Sequence, residues 1–165
     1  MTAEEIIRQF NLQEHPEGGY FKETYRSKGI IPNSILDSSF EGDRNICTGI
    51  YFLLTSEKFS AFHKVNQDEM WHFYKGAPLK LHMISTKGEY SFVIIGNNLK
   101  KGQIPQFTVN GGDWFAAEVI DQNSFSFVGC TVAPGFDFKD FELPTAGRLI
   151  SQFPQHTEII NSLTY

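Results

Sequence analysis

An all-β fold with short helices at either end is what this sequence predicts, and three observations carry it. Aromatic residues make up 15% of the chain, and 16 of them are Phe; Phe and Tyr suit the pleated, half-buried surface of a strand. Short runs alternate in polarity with period two, the strand period. Clusters of Asn, Asp, Gly and Pro separate those runs at places where the backbone must turn.

The chain has 165 residues, which suits one domain, 1–165, with a sizeable core. Its 41% hydrophobic and 20% charged content is that of an ordinary globular protein. Net charge is −5, and the one adjacent basic pair is Lys100-Lys101, so no nucleic-acid partner is expected. The longest apolar run, Ile50 to Leu54, is too short to cross a bilayer. The first residues carry Glu4 and Glu5 where a signal peptide would be basic and then apolar. Cys47 and Cys130 read as reduced thiols, consistent with a cytoplasmic protein and no membrane partner.

Taken in order, Thr2-Ala3-Glu4-Glu5 has the capping-box spacing, and Ile6, Ile7 and Phe10 follow at helical intervals. A first helix therefore ends near Asn11. Pro16 with Gly18-Gly19 breaks it. Tyr20 to Arg26 reads as a strand with Phe21, Glu23 and Tyr25 on one face and Lys22, Thr24 and Arg26 on the other. A polar loop from Ser27 to about Arg44 is long enough to be a lid or an arm. Ile46 to Thr55 is apolar nearly throughout, as a strand covered on both faces is. Lys58 to Val65 is the next strand, with Ala61, His63 and Val65 sharing a face.

Glu69 to Tyr74 is the stretch that bears chemistry. Alternation sets Glu69, Trp71 and Phe73 on one face, and Met70, His72 and Tyr74 on the other. If the first set points inward, Glu69 is a carboxyl in an aromatic-walled cavity, its pKa raised unless a cation offsets it. His63 is the natural partner, as an acid–base pair with Glu69. The plain structural alternative has Glu69 at a turn or rim and His63 bonded to backbone. A simple hairpin at Gly76-Ala77-Pro78 would put His72 opposite His82, where two imidazoles could share a metal; a corner leading to a second sheet would not. Further strands are expected over Leu79 to Ser85, Tyr90 to Ile95, Phe107 to Val109, Trp114 to Val119 and Ser124 to Ala133. Trp114 or Phe115 could wall the same cavity, and Cys130, among apolar neighbours, reads as a packed thiol. Leu149, Ile150 and Phe153, then Ile159, Ile160 and Leu163, recur at helical spacing and predict closing helices.

The spacing H-x5-E-x6-G, met by His63, Glu69 and Gly76, resembles the first motif of the cupin superfamily. Val65 stands where that motif has a second His, and Trp114 or Phe115 falls near the His of its second motif. Two of the four usual metal ligands are thus missing, and no metal or cofactor is expected. E-G-G-Y-F (Glu17 to Phe21), Y-R (Tyr25-Arg26), I-Y-F-L-L, D-E-M-W (Asp68 to Trp71), P-Q-F (Pro105 to Phe107), V-G-C-T-V-A-P-G-F (Val128 to Phe136) and D-F-E-L (Asp140 to Leu143) together resemble the cupin 5 subfamily. That resemblance implies a double-stranded β-helix, a jelly-roll barrel with an internal pocket, usually assembled as a homodimer. It extends distantly to dTDP-4-dehydrorhamnose 3,5-epimerase, a metal-free enzyme with a His base; His63 matches that His, while Glu69 falls where the epimerase carries a Lys. A reversed charge implies a different substrate.

The expectation is therefore a small sugar-like or nucleotide-like ligand, bound by Trp71, Phe73, Trp114, Phe115, Tyr25 and Arg26. His63 and Glu69 would act as the catalytic pair of a metal-free isomerase or lyase. The alternatives are a binding module without chemistry and, third, a metal enzyme with an irregular ligand set.

Overall fold

A computed structural model describes residues Met1–Tyr165. Its elements are α1 (Ala3–Phe10), β1 (Gln13–Glu14), β2 (Tyr20–Arg26), β3 (Ile30–Ile31), β4 (Arg44–Asn45), β5 (Thr48–Thr55), β6 (Ser60–His63), β7 (Asp68–Gly76), β8 (Leu79–Ile84), β9 (Tyr90–Ile95), β10 (Gln106–Val109), β11 (Trp114–Val119), β12 (Phe125–Ala133), α2 (Ala146–Gln152) and α3 (Thr157–Ser162). The strands form a six-stranded sheet in the order β1-β2-β5-β12-β7-β10 and a four-stranded sheet in the order β6-β11-β8-β9. Every pairing within them is antiparallel. No helix is long and apolar enough to cross a membrane.

Alternation decides what lies between the sheets. Phe52, Leu54, Trp71, Val128 and Cys130 of the large sheet meet Leu79, Leu81, Met83, Phe115, Ala117 and Val119 of the small one in the main core. Burying a side chain of this size contributes roughly 1.5–3 kcal/mol, so this layer fixes the strand register. Trp114 and Ala116, of opposite parity on β11, face outward. There they pack with Phe62 and Ile84 beneath Leu149, Phe153, Ile160 and Leu163 of the closing helices. On the outer face of the large sheet, Ile6 of α1 packs with Leu53 and Phe127. The capping box forms as the spacing predicts: Glu5 N–H donates to Thr2 Oγ1 and Thr2 N–H to Glu5 Oε2.

The turn after β7 is a corner, since β7 and β8 belong to different sheets. His72 lies opposite Gly129 and Gln106, and His82 lies opposite Phe92 and Ala116. The two imidazoles therefore do not face each other across a hairpin. The polar segment after β2 is a small two-stranded ribbon, β3 with β4. It is pinned by a buried pair: Arg44 donates from Nε and Nη2 to Asp140 at 2.7 and 2.6 Å. Gln67 Nε2 donates to the same carboxylate at 2.6 Å. Asp140 follows Phe136, Asp137 and Phe138, so this clamp holds a strap of chain across one end of the barrel.

Candidate functional site

At that end the core stops short and leaves a cavity of about 290 Å³. Its floor is Thr48 and Ile50 of β5, Glu69 of β7, and Cys130 and Val132 of β12, with His63 and Val65 on the opposite side. The turn before β2 contributes His15 and Glu17, β2 itself Phe21, Glu23 and Arg26, and the strap Phe136, Asp137, Phe138 and Phe141.

Glu17 is the residue the sequence reading passes over. It sits in the segment read as a helix breaker, yet its backbone C=O accepts from Ala61 N–H at 2.8 Å and its side chain is buried. Gly18 and Gly19 make this approach possible, with φ of +111° and +74°. A Cβ on Gly18 would strike the Phe59 carbonyl oxygen. Gly18→Ala is expected to cost about 1–3 kcal/mol, measurable as a lowered midpoint in urea. An acidic residue held between Pro16 and paired glycines was the available signal, because such glycines mark close backbone approach.

Polar contacts converge on Glu17. Ser60 Oγ–H donates to its Oε1 at 2.8 Å, and His63 Nε2 lies 3.1 Å from its Oε2. His63 Nδ1 is 2.7 Å from the Ala61 carbonyl; a carbonyl only accepts, so the ring proton is on Nδ1. Burial holds the His63 pKa down to about 3. Burial, with Glu69 nearby, pushes the Glu17 carboxyl well above its ordinary range. The proton between them therefore rests on Glu17, which donates to a neutral imidazole; the contact is a hydrogen bond between neutral groups, not an ion pair. His15, also lowered by burial, to about 4, accepts the Glu17 backbone N–H at Nδ1, 3.4 Å away.

Glu69 is buried, and burial raises its pKa to about 7; the neighbouring Cys130 thiol opposes that rise in part. His63 and Glu69 thus both reach the cavity, but the hydrogen-bonded partner of His63 is Glu17, which corrects the expected pairing. Other expected positions are corrected too. Trp71 is 1% exposed and belongs to the core beneath the cavity. Phe73, partly buried, packs against the same core further along the strand. Trp114 faces outward, with Lys64 Nζ 4.6 Å from its ring centre. Phe115 points in but backs the site: its ring is 4.1 Å from that of His63.

Tyr25 and Arg26 exchange the faces that alternation assigns them. A bulge between Glu23 and Tyr25 shifts the pairing with β5 by one residue, and one extra residue reverses every side chain beyond it. Tyr25 is consequently 56% exposed, while Arg26 joins Phe21 and Glu23 at the cavity rim. The aromatic wall is built instead from Phe21, Phe52, Phe136, Phe138 and Phe141. Of these, Phe136 and Phe138 meet edge to face at 5.0 Å.

The donors present differ from those of a cupin metal site. Val65 lines the cavity where a second imidazole would serve, Phe115 fills the place across from His63, and His63 Nε2 is engaged by Glu17. No three His, Cys, Asp or Glu side chains are grouped to close round an ion, and a first-row metal needs at least three protein ligands. These residues do not fit that metal site.

Two facing antiparallel sheets, closed by a corner after β7 and open to a cavity at one end, define the cupin barrel. Oxalate decarboxylase from Bacillus subtilis shares this fold at 12% identity and a TM-score of 0.54, over 91% of this chain and 36% of that one. The chain itself belongs to the cupin 5 family, described as Cupin superfamily (DUF985), whose family model matches residues 4–144. A hypothetical protein from Leishmania major is similar over 100% of this chain and 99% of its own, at 36% identity and a TM-score of 0.92. Protein SO0799 from Shewanella oneidensis is similar over 100% and 98%, at 37% identity and a TM-score of 0.89. The uncharacterized protein YML079W of Saccharomyces cerevisiae is 30% identical over 148 residues, 84% of this chain and 73% of that protein.

Proposed function

We propose that the cavity binds a small sugar-like molecule and moves a proton on it without a metal, as an isomerase or lyase. The observation that supports this reading is the placement of two acids with opposed tasks in one enclosed space. Glu69, with its pKa near 7, is part carboxylate at neutral pH and suited to general-base work. Glu17 holds a proton against His63 Nε2 and is suited to general-acid work.

Glu69 would take a proton from a carbon next to a carbonyl. The C–H electron pair forms the new C=C bond, the carbonyl π pair moves to oxygen, and that oxygen takes the Glu17 proton. Glu69 then returns its proton to the former carbonyl carbon, the hydroxyl on the first carbon gives its proton back to Glu17 and becomes the new carbonyl, and the isomerisation is complete. In the lyase outcome the Glu17 proton goes instead to a β-hydroxyl: the enolate oxygen re-forms the carbonyl, the C=C pair shifts to make an α,β double bond, and the C–O bond breaks to release water. His63 Nε2 accepts the Glu17 proton's hydrogen bond until the ligand oxygen takes that proton, and Nδ1 already carries a proton of its own. The base is then Glu69 and not His63, a change from the roles the sequence alone implies.

The test is solvent deuterium exchange at the α-carbon of a panel of ketoses and enolisable hydroxy acids, followed by NMR. Glu17→Gln keeps a donor towards His63 but has no proton to give up, and should slow exchange about 10²–10⁴-fold with the fold intact. Exchange at the parental rate in both Glu17→Gln and Glu69→Gln would remove the proposal. A binding module without chemistry is the second reading, favoured by one observation: both nitrogens of His63 are already hydrogen-bonded. Saturable binding with no exchange in any panel member would establish it.

A further inference from the structure

We propose that the ligand of this cavity carries an ammonium group, and that phosphorylated and carboxylated molecules are rejected. This rests on the reading that the cavity takes a small sugar-like molecule, and names the charge of that molecule. The first argument is the charge inventory. Glu23, Glu69 and Asp137, with the protonated Glu17, line the cavity against one guanidinium, Arg26. Arg26 is already engaged: it donates to Glu23 at 3.0 and 2.7 Å, to Asn45 Oδ1 at 2.8 Å and to the Phe136 carbonyl at 3.1 Å. A phosphate would meet carboxyl groups with no free cation to receive it.

The second argument is a contrast within the chain. Asp140 is buried and the chain supplies its own counter-ion, Arg44, in bidentate geometry. Glu69 is as well buried, at 8% exposure, opens onto the cavity, and faces a thiol with no Lys or Arg beside it. Without a cation of its own such a carboxyl favours its protonated form, and an arriving cation offsets the cost of ionising it. The third argument is the wall. Rings of Phe21, Phe136, Phe138 and Phe141 surround the space beside these carboxyls, and aromatic faces attract ammonium groups strongly when water is excluded.

Titration calorimetry on the full chain, with three hexose probes, tests this: glucosamine, glucose and glucose 6-phosphate. Glucosamine should bind at least about tenfold more tightly than glucose, a gap of about 1.4 kcal/mol, and glucose 6-phosphate should not bind. Glu69→Gln should erase the preference for glucosamine over glucose. Phe138→Leu, which keeps apolar bulk but removes a ring face, should weaken glucosamine more than glucose. Equal binding of glucosamine and glucose overturns the ammonium assignment and leaves the sugar site standing, as does tighter binding of the phosphate. Binding by none of the three, at high millimolar concentration, overturns both.

Discussion

Arg44→Met is expected to destabilise the fold by about 3–5 kcal/mol, because it leaves the Asp140 carboxylate buried without its counter-ion. The Arg44 and Asp140 side chains are both 2% exposed, so water cannot take the place of the missing guanidinium. Arg44 also donates to the carbonyls of Glu41, Gly42 and Asp43, and these three acceptors lose their donor as well. The double variant Arg44→Met/Asp140→Leu removes both charges and should recover most of the loss. Urea unfolding of the two single variants and the double one measures the coupling. A single variant within about 0.5 kcal/mol of the parent, the range of ordinary surface changes, would show that the clamp contributes little. The site should feel the same change, since Asp140 anchors the strap bearing Phe136, Phe138 and Phe141.

Glu69→Gln is expected to be increasingly more stable than the parent chain as pH rises from about 4.5 to about 7. The folded state raises the Glu69 pKa from 4.5 to about 7, so it prefers the protonated form. The stability tied to that preference is complete below pH 4.5 and is lost as pH passes through about 7. At about 1.4 kcal/mol per pH unit over that window, ionising Glu69 costs the fold about 3 kcal/mol. An amide has no proton to lose and escapes the cost. The groups facing Glu69 are the Cys130 thiol of β12, Glu17 of the turn before β2 and His63 of β6, with Glu23, Arg26 and Asp137 at the rim. All are common to both chains, but Glu17 and Cys130 lose the neighbouring Glu69 charge in the variant, so the difference reads Glu69 together with its effect on those two groups. The buried histidines act with the opposite sign: His15 and His63 favour their neutral forms, and the stability they hold is lost as pH falls from 6.5 through about 4 and about 3. Thermal melts of both chains between pH 4 and 8 check this. A constant gap between the two curves would mean that Glu69 reaches water.

Together these variants divide the cavity by cause. The strap depends on a charge pair the chain completes for itself. The carboxyl at the floor is held in place by strand pairing alone and left without a partner charge. That difference is the structural basis for assigning an outside cation to Glu69.

The parts legible in the sequence were those governed by neighbours along the chain. Thr2 and Glu5 meet because three residues of helix bring them together. Glu69 and Trp71 point inward because strand parity requires them to share a face, and Trp114 must then oppose Phe115. The motifs from Glu17 to Leu143 marked the cupin barrel and its family. Only the tertiary structure decided which inward residues meet a cavity and which meet the core, because that depends on where the opposite sheet stops filling the space. It also decided that Arg26 replaces Tyr25 at the rim, since a bulge exists only in the pairing of β2 with β5. It gave His63 its partner, Glu17, through a glycine turn that folds under β6. Periodicity is a local property, whereas a proton shared between two buried side chains depends on contacts made across the fold.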